Sequence, residues 1–244
     1  MIVRRLALAL RRQDWGAVFV EFVLVLAGVL AALQANNFND ARLAKKGVIK
    51  NLERVRGEVE INIATLDEQI DAIEAGRPAR NAAIDALLKC DPSPNAQASI
   101  ENAVAALTGD IVPALVENSI RELTRRDTYL DLLSDEFRAM LNKYDGRLGD
   151  ERHQLRTNFN LLWDQHVLNH PFVDMVETTN PDAMVSLQFG ASEPMATLCE
   201  TPSFRRRFFM ADVWHQSFVL RMTRFNEWSE EFLVDLDREL ARLN

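Results

Sequence analysis

Glycine is scarce, 9 of 244 residues, roughly half the usual ~7%. So little glycine disfavours Gly-rich turns and sheets and favours helix. Positive charge is in deficit too: 28 Lys and Arg face 36 Asp and Glu, a net charge of -8. A chain without an overall basic face is not a general nucleic-acid binder. The two cysteines sit in no CxxC pair and beside no local histidine, which argues against thiol chemistry. G-x-S-x-G, P-loop, HExxH and Rossmann patterns are all missing. The chain therefore reads as a non-enzyme without a cofactor. It has no internal repeat and no low-complexity segment. What it has in quantity is apolar residues, 48% of the total, enough to exclude wholesale disorder. Its length allows one or two domains.

Those apolar residues are unevenly spread. Trp15–Leu33 reads WGAVFVEFVLVLAGVLAAL, 19 residues with the single charge Glu21. As a helix it covers about 28 Å, close to the ~30 Å hydrocarbon core of a bilayer. A cleaved signal peptide fits poorly. The run is too long, it holds a carboxylate, and no A-x-A site follows at Gln34-Ala35-Asn36. No second run reaches 18 apolar residues, so one crossing is expected. Ahead of it, residues 1–14 alternate Arg4, Arg5, Arg11 and Arg12 with aliphatic residues, the pattern of a short basic helix on an anionic leaflet.

Arginines ahead of the span favour a cytoplasmic N-terminus, whereas Arg42, Lys45, Lys46, Lys50, Arg54 and Arg56 beyond it argue the other way. Cys90 and Cys199 help to decide. Each lies beside a Pro-containing break between helical segments, where a bridge is geometrically easy, and two cysteines in an exported domain usually pair. The expectation is an inner-membrane protein with residues 36–244 in the periplasm and a Cys90–Cys199 disulfide.

Beyond Leu43, Val48, Leu52, Val55, Val59, Ile63, Leu66, Ile70 and Ile73 recur at helical spacing until Gly76-Arg77-Pro78. No breaker precedes them, so span and stalk read as one helix from about 15 to 75, roughly 90 Å long. Shorter helices are expected at about 79–90, 97–108 and 113–125. Ser134 is placed to cap a long helix to about 168, with Phe137, Leu141, Tyr144, Leu148, Leu155, Phe159, Leu162 and His166 on its inner face and Gly146 and Gly149 as kink sites. Residues 172–201 read as irregular. Val185, Leu187 and Phe189 alternate as in a short strand, but Asn180-Pro181-Asp182 favours a short helix. A last helix at 202–243 carries Phe204, Phe208, Ala211, His215, Phe218, Met222, Phe225, Phe232, Leu236 and Leu240. The predicted fold is all-α: one transmembrane helix continuing into an elongated helical bundle.

Glu21 to Asp40, EFVLVLAGVLAALQANNFND, resembles the start of a family of uncharacterised single-span bacterial membrane proteins. That pattern runs roughly G-E, an apolar stretch with an internal Gly, then A-L-Q-x-N-N-W-N-E. The matches are Glu21, Gly28, Ala32, Leu33, Gln34, Asn36, Asn37 and Asn39. Phe38 replaces the Trp, Asp40 the Glu, and Val20 the Gly. Thr128-Tyr129-Leu130-Asp131-Leu132-Leu133, with Leu141 to Tyr144, echoes a second family segment. The resemblance implies a helical, membrane-anchored protein and no assigned reaction.

Within the span, Ala17, Glu21, Leu24, Gly28, Ala31 and Ala35 recur in steps of four and three, a coiled-coil-like seam. Gly28-xxx-Ala32 and Ala27-xxx-Ala31 permit close helix approach, so self-association is expected. Glu21 has three readings: reaching the headgroups near Arg11 and Arg12, bonding across a subunit interface, or handling ions. Gln34, Asn36, Asn37, Asn39 and Asp40 form a polar collar, either simply solvated or bonded between subunits. His166 and His170 have metal spacing, with Asp164 and Asp174 nearby, but no clear third ligand, so no metal is expected. His215 reads as a satisfied core histidine, and Arg205-Arg206-Arg207 as a solvated helix start, with binding to anionic lipid or a partner's acidic face as the alternative.

The expected function is a non-enzymatic membrane protein that self-associates and presents a periplasmic scaffold or partner-binding domain. Lipid and a second copy are the expected partners, another membrane protein the alternative, and nucleic acid none. The competing readings are an ion- or proton-coupled subunit with Glu21 in the path, and a periplasmic ligand sensor. The sensor is disfavoured because only about 14 residues would lie on the cytoplasmic side.

Overall fold

The computed structural model describes residues 15–107, 112–163, 165–178 and 186–244; at 15–18, 21, 158–163, 175–178 and 186–189 it describes the backbone alone. The fold is all-α. Helix α1 is Trp15–Ala75, 61 residues without interruption. There follow α2 (Arg77–Lys89), α3 (Pro94–Ala106), α4 (Asn118–Thr124), α5 (Asp127–Leu130) and α6 (Asp135–Trp163). A 3-10 turn (Val167–Asn169), strands β1 (Val173–Thr178) and β2 (Ser186–Ala191), α7 (Met195–Glu200) and α8 (Pro202–Leu243) complete the order. The chain forms two compact units, Met1–Lys50 and Asn51–Asn244.

In the first unit, α1 is the one helix among the described residues long and apolar enough to cross a membrane. Its apolar side chains stand exposed, from Phe19 and Phe22 through Leu24 and Val25 to Leu33. Exposure on this scale costs about 25 cal/mol per Å² in water, so lipid or a partner must cover the run.

The second unit buries two sets of side chains. One joins α2, α3, the hairpin, α7 and the start of α8 around Leu87, Ile100, Val104, Leu198, Phe204 and Phe208. Gly76 brings α2 against α3: a Cβ there would stand 2.9 Å from Ala106 Cβ. In the other set, Tyr144 of α6 stacks on Phe232 and Trp228 of α8, with ring centroids 4.2 and 5.2 Å apart. Its hydroxyl lies 3.2 Å from Ser229 Oγ. Ser134 caps α6 as its position suggested, its Oγ accepting from Phe137 N at 3.2 Å.

Several expectations require correction. The expected helix at 113–125 is shorter, Asn118–Thr124, because the Asn62 amide binds both backbone groups of Val116 and keeps 113–117 out of the helix. The helix expected to reach 168 ends at Trp163 and is followed by the 3-10 turn. The stretch read as irregular with a short helix holds an antiparallel hairpin, Val173 opposite Ala191 and Thr178 opposite Ser186, and then α7. Asn180-Pro181-Asp182 lies outside the described residues. The predicted stripes also shift locally. Leu240, Ile63 and Ile70 are half-buried, while Glu239, Asn62 and Asn51 are buried. α6 runs unbroken through Gly146 and Gly149.

Candidate functional site

Four features carry the chemistry of the described residues. On α1, residues 17, 21, 24, 28, 31 and 35 fall on one side of a continuous helix, because alternating steps of four and three track its 3.6-residue repeat. Leu24, Ala31, Ala32 and Ala35 are exposed, and a Cβ at Gly28 would meet nothing within 4 Å. The side chains of Ala17 and Glu21 lie outside those described. The collar residues Gln34, Asn36, Asn37, Asn39 and Asp40 are exposed, and Asn36 Nδ2 donates to Asp40 Oδ2 at 3.2 Å, one turn along the helix.

Cys90 and Cys199 are joined in a disulfide, with Cα atoms 5.6 Å apart. It ties the end of α2 to α7. Cys90 adopts φ 49°, the left-handed conformation that ends helices and that glycine or asparagine normally supplies.

A buried polar network sits beneath α2 and α8. Arg80 Nε donates to Asp212 Oδ1 at 2.8 Å and Arg80 Nη1 to the Ile73 carbonyl at 2.8 Å. Gln216 Nε2 donates to the other Asp212 oxygen at 2.6 Å. The arginine is wholly inaccessible. One turn on, His215 Nδ1–H donates to the Ala211 carbonyl at 2.8 Å, so the reading of a satisfied core histidine describes its place. The His166 ring centroid lies 6.3 Å from that of His215. Burial and His215 push the His166 pKa down to about 4. Burial also lowers His215, with Arg80 adding to the effect. Both rings are neutral at physiological pH.

His166 and His170 do not converge. Each accepts a backbone N–H on Nδ1, from Leu168 and Phe172 at 3.3 and 3.2 Å. His170 Nε2 lies 3.2 Å from Ser203 Oγ. With Nδ1 accepting, the neutral ring carries its proton on Nε2 and donates to the hydroxyl, the opposite of what activating a serine requires. Among the described residues no three metal-ligating side chains cluster. Arg207 Nη1 caps the 3-10 turn through the Asn169 carbonyl at 3.2 Å, and Arg205 and Arg206 flank it on the first turns of α8.

The fourth feature was not foreseen. α6 and α8 splay to leave an open groove of about 570 Å³, lined by Arg147, Asp150, Glu151 and Gln154 from α6 and by Trp214–Phe225 positions of α8. Its α6 residues recur at i, i+3, i+4 and i+7, a signal present in the sequence but indistinguishable there from a solvated helix face. Trp214 and Leu220, off the Phe stripe, were the other visible hint.

Compared with protein-family models, curated proteins and solved structures, the chain has no match.

Proposed function

We propose that this chain is a non-enzymatic, single-pass protein of the bacterial inner membrane, in keeping with the family that Glu21–Asp40 resembles. It self-associates through the face of α1 bearing Gly28 and presents its C-terminal unit in the periplasm as a scaffold or partner-binding module. One observation carries this reading: α1 exposes an unbroken apolar run from Phe22 to Leu33, with none of its side chains buried. A bilayer is the environment that covers such a run. The Cys90–Cys199 disulfide supports an oxidising compartment for the second unit. The dense arginines of residues 1–14 support a cytoplasmic N-terminus.

The competing reading gives Glu21 a proton or ion to carry. Glu21→Gln keeps shape and hydrogen bonding and removes the titratable proton. Glu21→Leu removes both. In reconstituted vesicles we expect no ion flux from wild type or either variant. Assembly should be kept in Glu21→Gln and weakened in Glu21→Leu, by about 0.6–2 kcal/mol per lost interhelical contact. Wild-type flux that vanishes in a fully assembled Glu21→Gln variant would establish the ion path instead.

A further inference from the structure

The groove between α6 and α8 is polarised along its length. The helices run antiparallel, as Phe137–Phe232, Tyr144–Phe225 and Glu151–Arg221 contacts require. Arg147 and Arg224 therefore stand at one end, and Gln154, Trp214 and Ser217 at the other. Between them Phe218 is buried as a floor and Leu220 is exposed on the rim, while Phe225 is buried at the cationic end. At mid-groove the charges cancel, because Arg221 holds both oxygens of Glu151. At the cationic end they do not. Arg147 lies over the Trp228 ring, 4.5 Å from its centroid, without a carboxylate partner, and Arg224 meets no carboxylate among the described residues. Asp150 is the one acid among the groove's lining residues beside these two charges that no arginine holds. Ten residues of α8 separate Trp214 from Arg224, about 15 Å. The volume lies within the ~300–1,000 Å³ typical of ligand sites.

We infer that this groove binds a fatty-acid-like ligand, a single carboxylate head on an unbranched apolar tail about 15 Å long. The head sits between Arg147 and Arg224, whose guanidinium forks match a carboxylate. The tail runs over Phe218 and Leu220 towards Trp214. An uncharged chain would cover the arginines without satisfying them. A polyanion would meet Asp150 and Glu151. The inference is independent of self-association through α1.

The test uses the full chain in nanodiscs of zwitterionic lipid, with dodecanoate bearing a terminal diazirine as photolabel and mass spectrometry to map the adducts. We expect adducts on the Trp214–Ser217 segment that unlabelled dodecanoate suppresses at least tenfold and dodecyltrimethylammonium does not. Arg147→Gln with Arg224→Gln should reduce them at least tenfold. Arg125→Gln, at an exposed arginine elsewhere, should not. The corresponding diazirine alcohol should label the segment at least tenfold less than the acid. Equal labelling by acid and alcohol, equal competition by the cationic chain, or adducts confined to residues 19–33 would each overturn the assignment. So would photocross-links between two copies through Trp214 or Leu220, which would make the groove a protein interface.

Discussion

Arg80 shows how a single side chain constrains the second unit. A guanidinium removed from water is tolerable only with its charge paired. Asp212 pairs it and the Ile73 carbonyl accepts from Nη1, while Nη2 meets no partner among the described residues. Arg80→Met leaves the Asp212 carboxylate buried and unpaired, and should cost about 3–5 kcal/mol. Arg80→Met with Asp212→Leu should recover much of the loss, as removing both charges usually does. Thermal unfolding of the two variants beside wild type checks this. The histidines set a pH dependence. The folded state holds His166 at about 4, whereas an unfolded histidine titrates near ~6.5. The contribution is therefore fully present above pH ~6.5 and is lost as pH falls towards the folded value, amounting to about 3 kcal/mol for this ring. His215, lowered by burial as well, acts in the same direction. Urea midpoints between pH 7 and pH 4 should fall, and should fall less in His166→Gln. A flat profile would contradict the burial that lowers these groups.

Among the elements, the long helices were legible and so, within about three residues, were α2 and α3, whereas the remaining short elements were misplaced or missed. α8 follows a stripe of aromatic residues at 3.6 spacing, and its observed bounds coincide with that stripe. α1 is continuous from Trp15 because nothing between Leu33 and Gly76 breaks it. The hairpin escaped because β1 has no alternation clear enough to outweigh its neighbours, and Asn180-Pro181 is as good a helix start as a turn. The groove escaped because Glu151, Arg221 and Arg224 look like any solvated face until two helices bring them together. Buried Asn62 was invisible for a related reason: its partner, the Val116 backbone, is 54 residues away.

Two predictions belong to this scale. Cys199→Ser should destabilise the second unit by up to about 4–5 kcal/mol, since the bridge closes a separation of 109 residues. Thiol labelling of denatured, unreduced protein from intact cells should find no free thiol. On α1, Gly28→Ile should lower cross-linking between copies in membranes, because close helix approach needs a small residue there. Open space around Gly28 means the substitution does not disturb the chain's own packing. Val23→Ile, off that face, serves as the control. Equal yields from the two variants would show the seam to be incidental.

The whole molecule joins a helix long and apolar enough to cross a membrane to a disulfide-linked helical unit. The all-α class, and a helix long and apolar enough to cross a membrane, were readable because hydrophobic run length and helical periodicity are one-dimensional signals. The proposed assembly has only residue spacing behind it in the sequence, because a second copy would contribute half of every contact. The most direct test is the native mass of the full chain released from lipid nanodiscs. The account predicts complexes at integer multiples of 27.8 kDa above one, shifted towards the single-chain mass by Gly28→Ile. Wild type found only at the single-chain mass would contradict it.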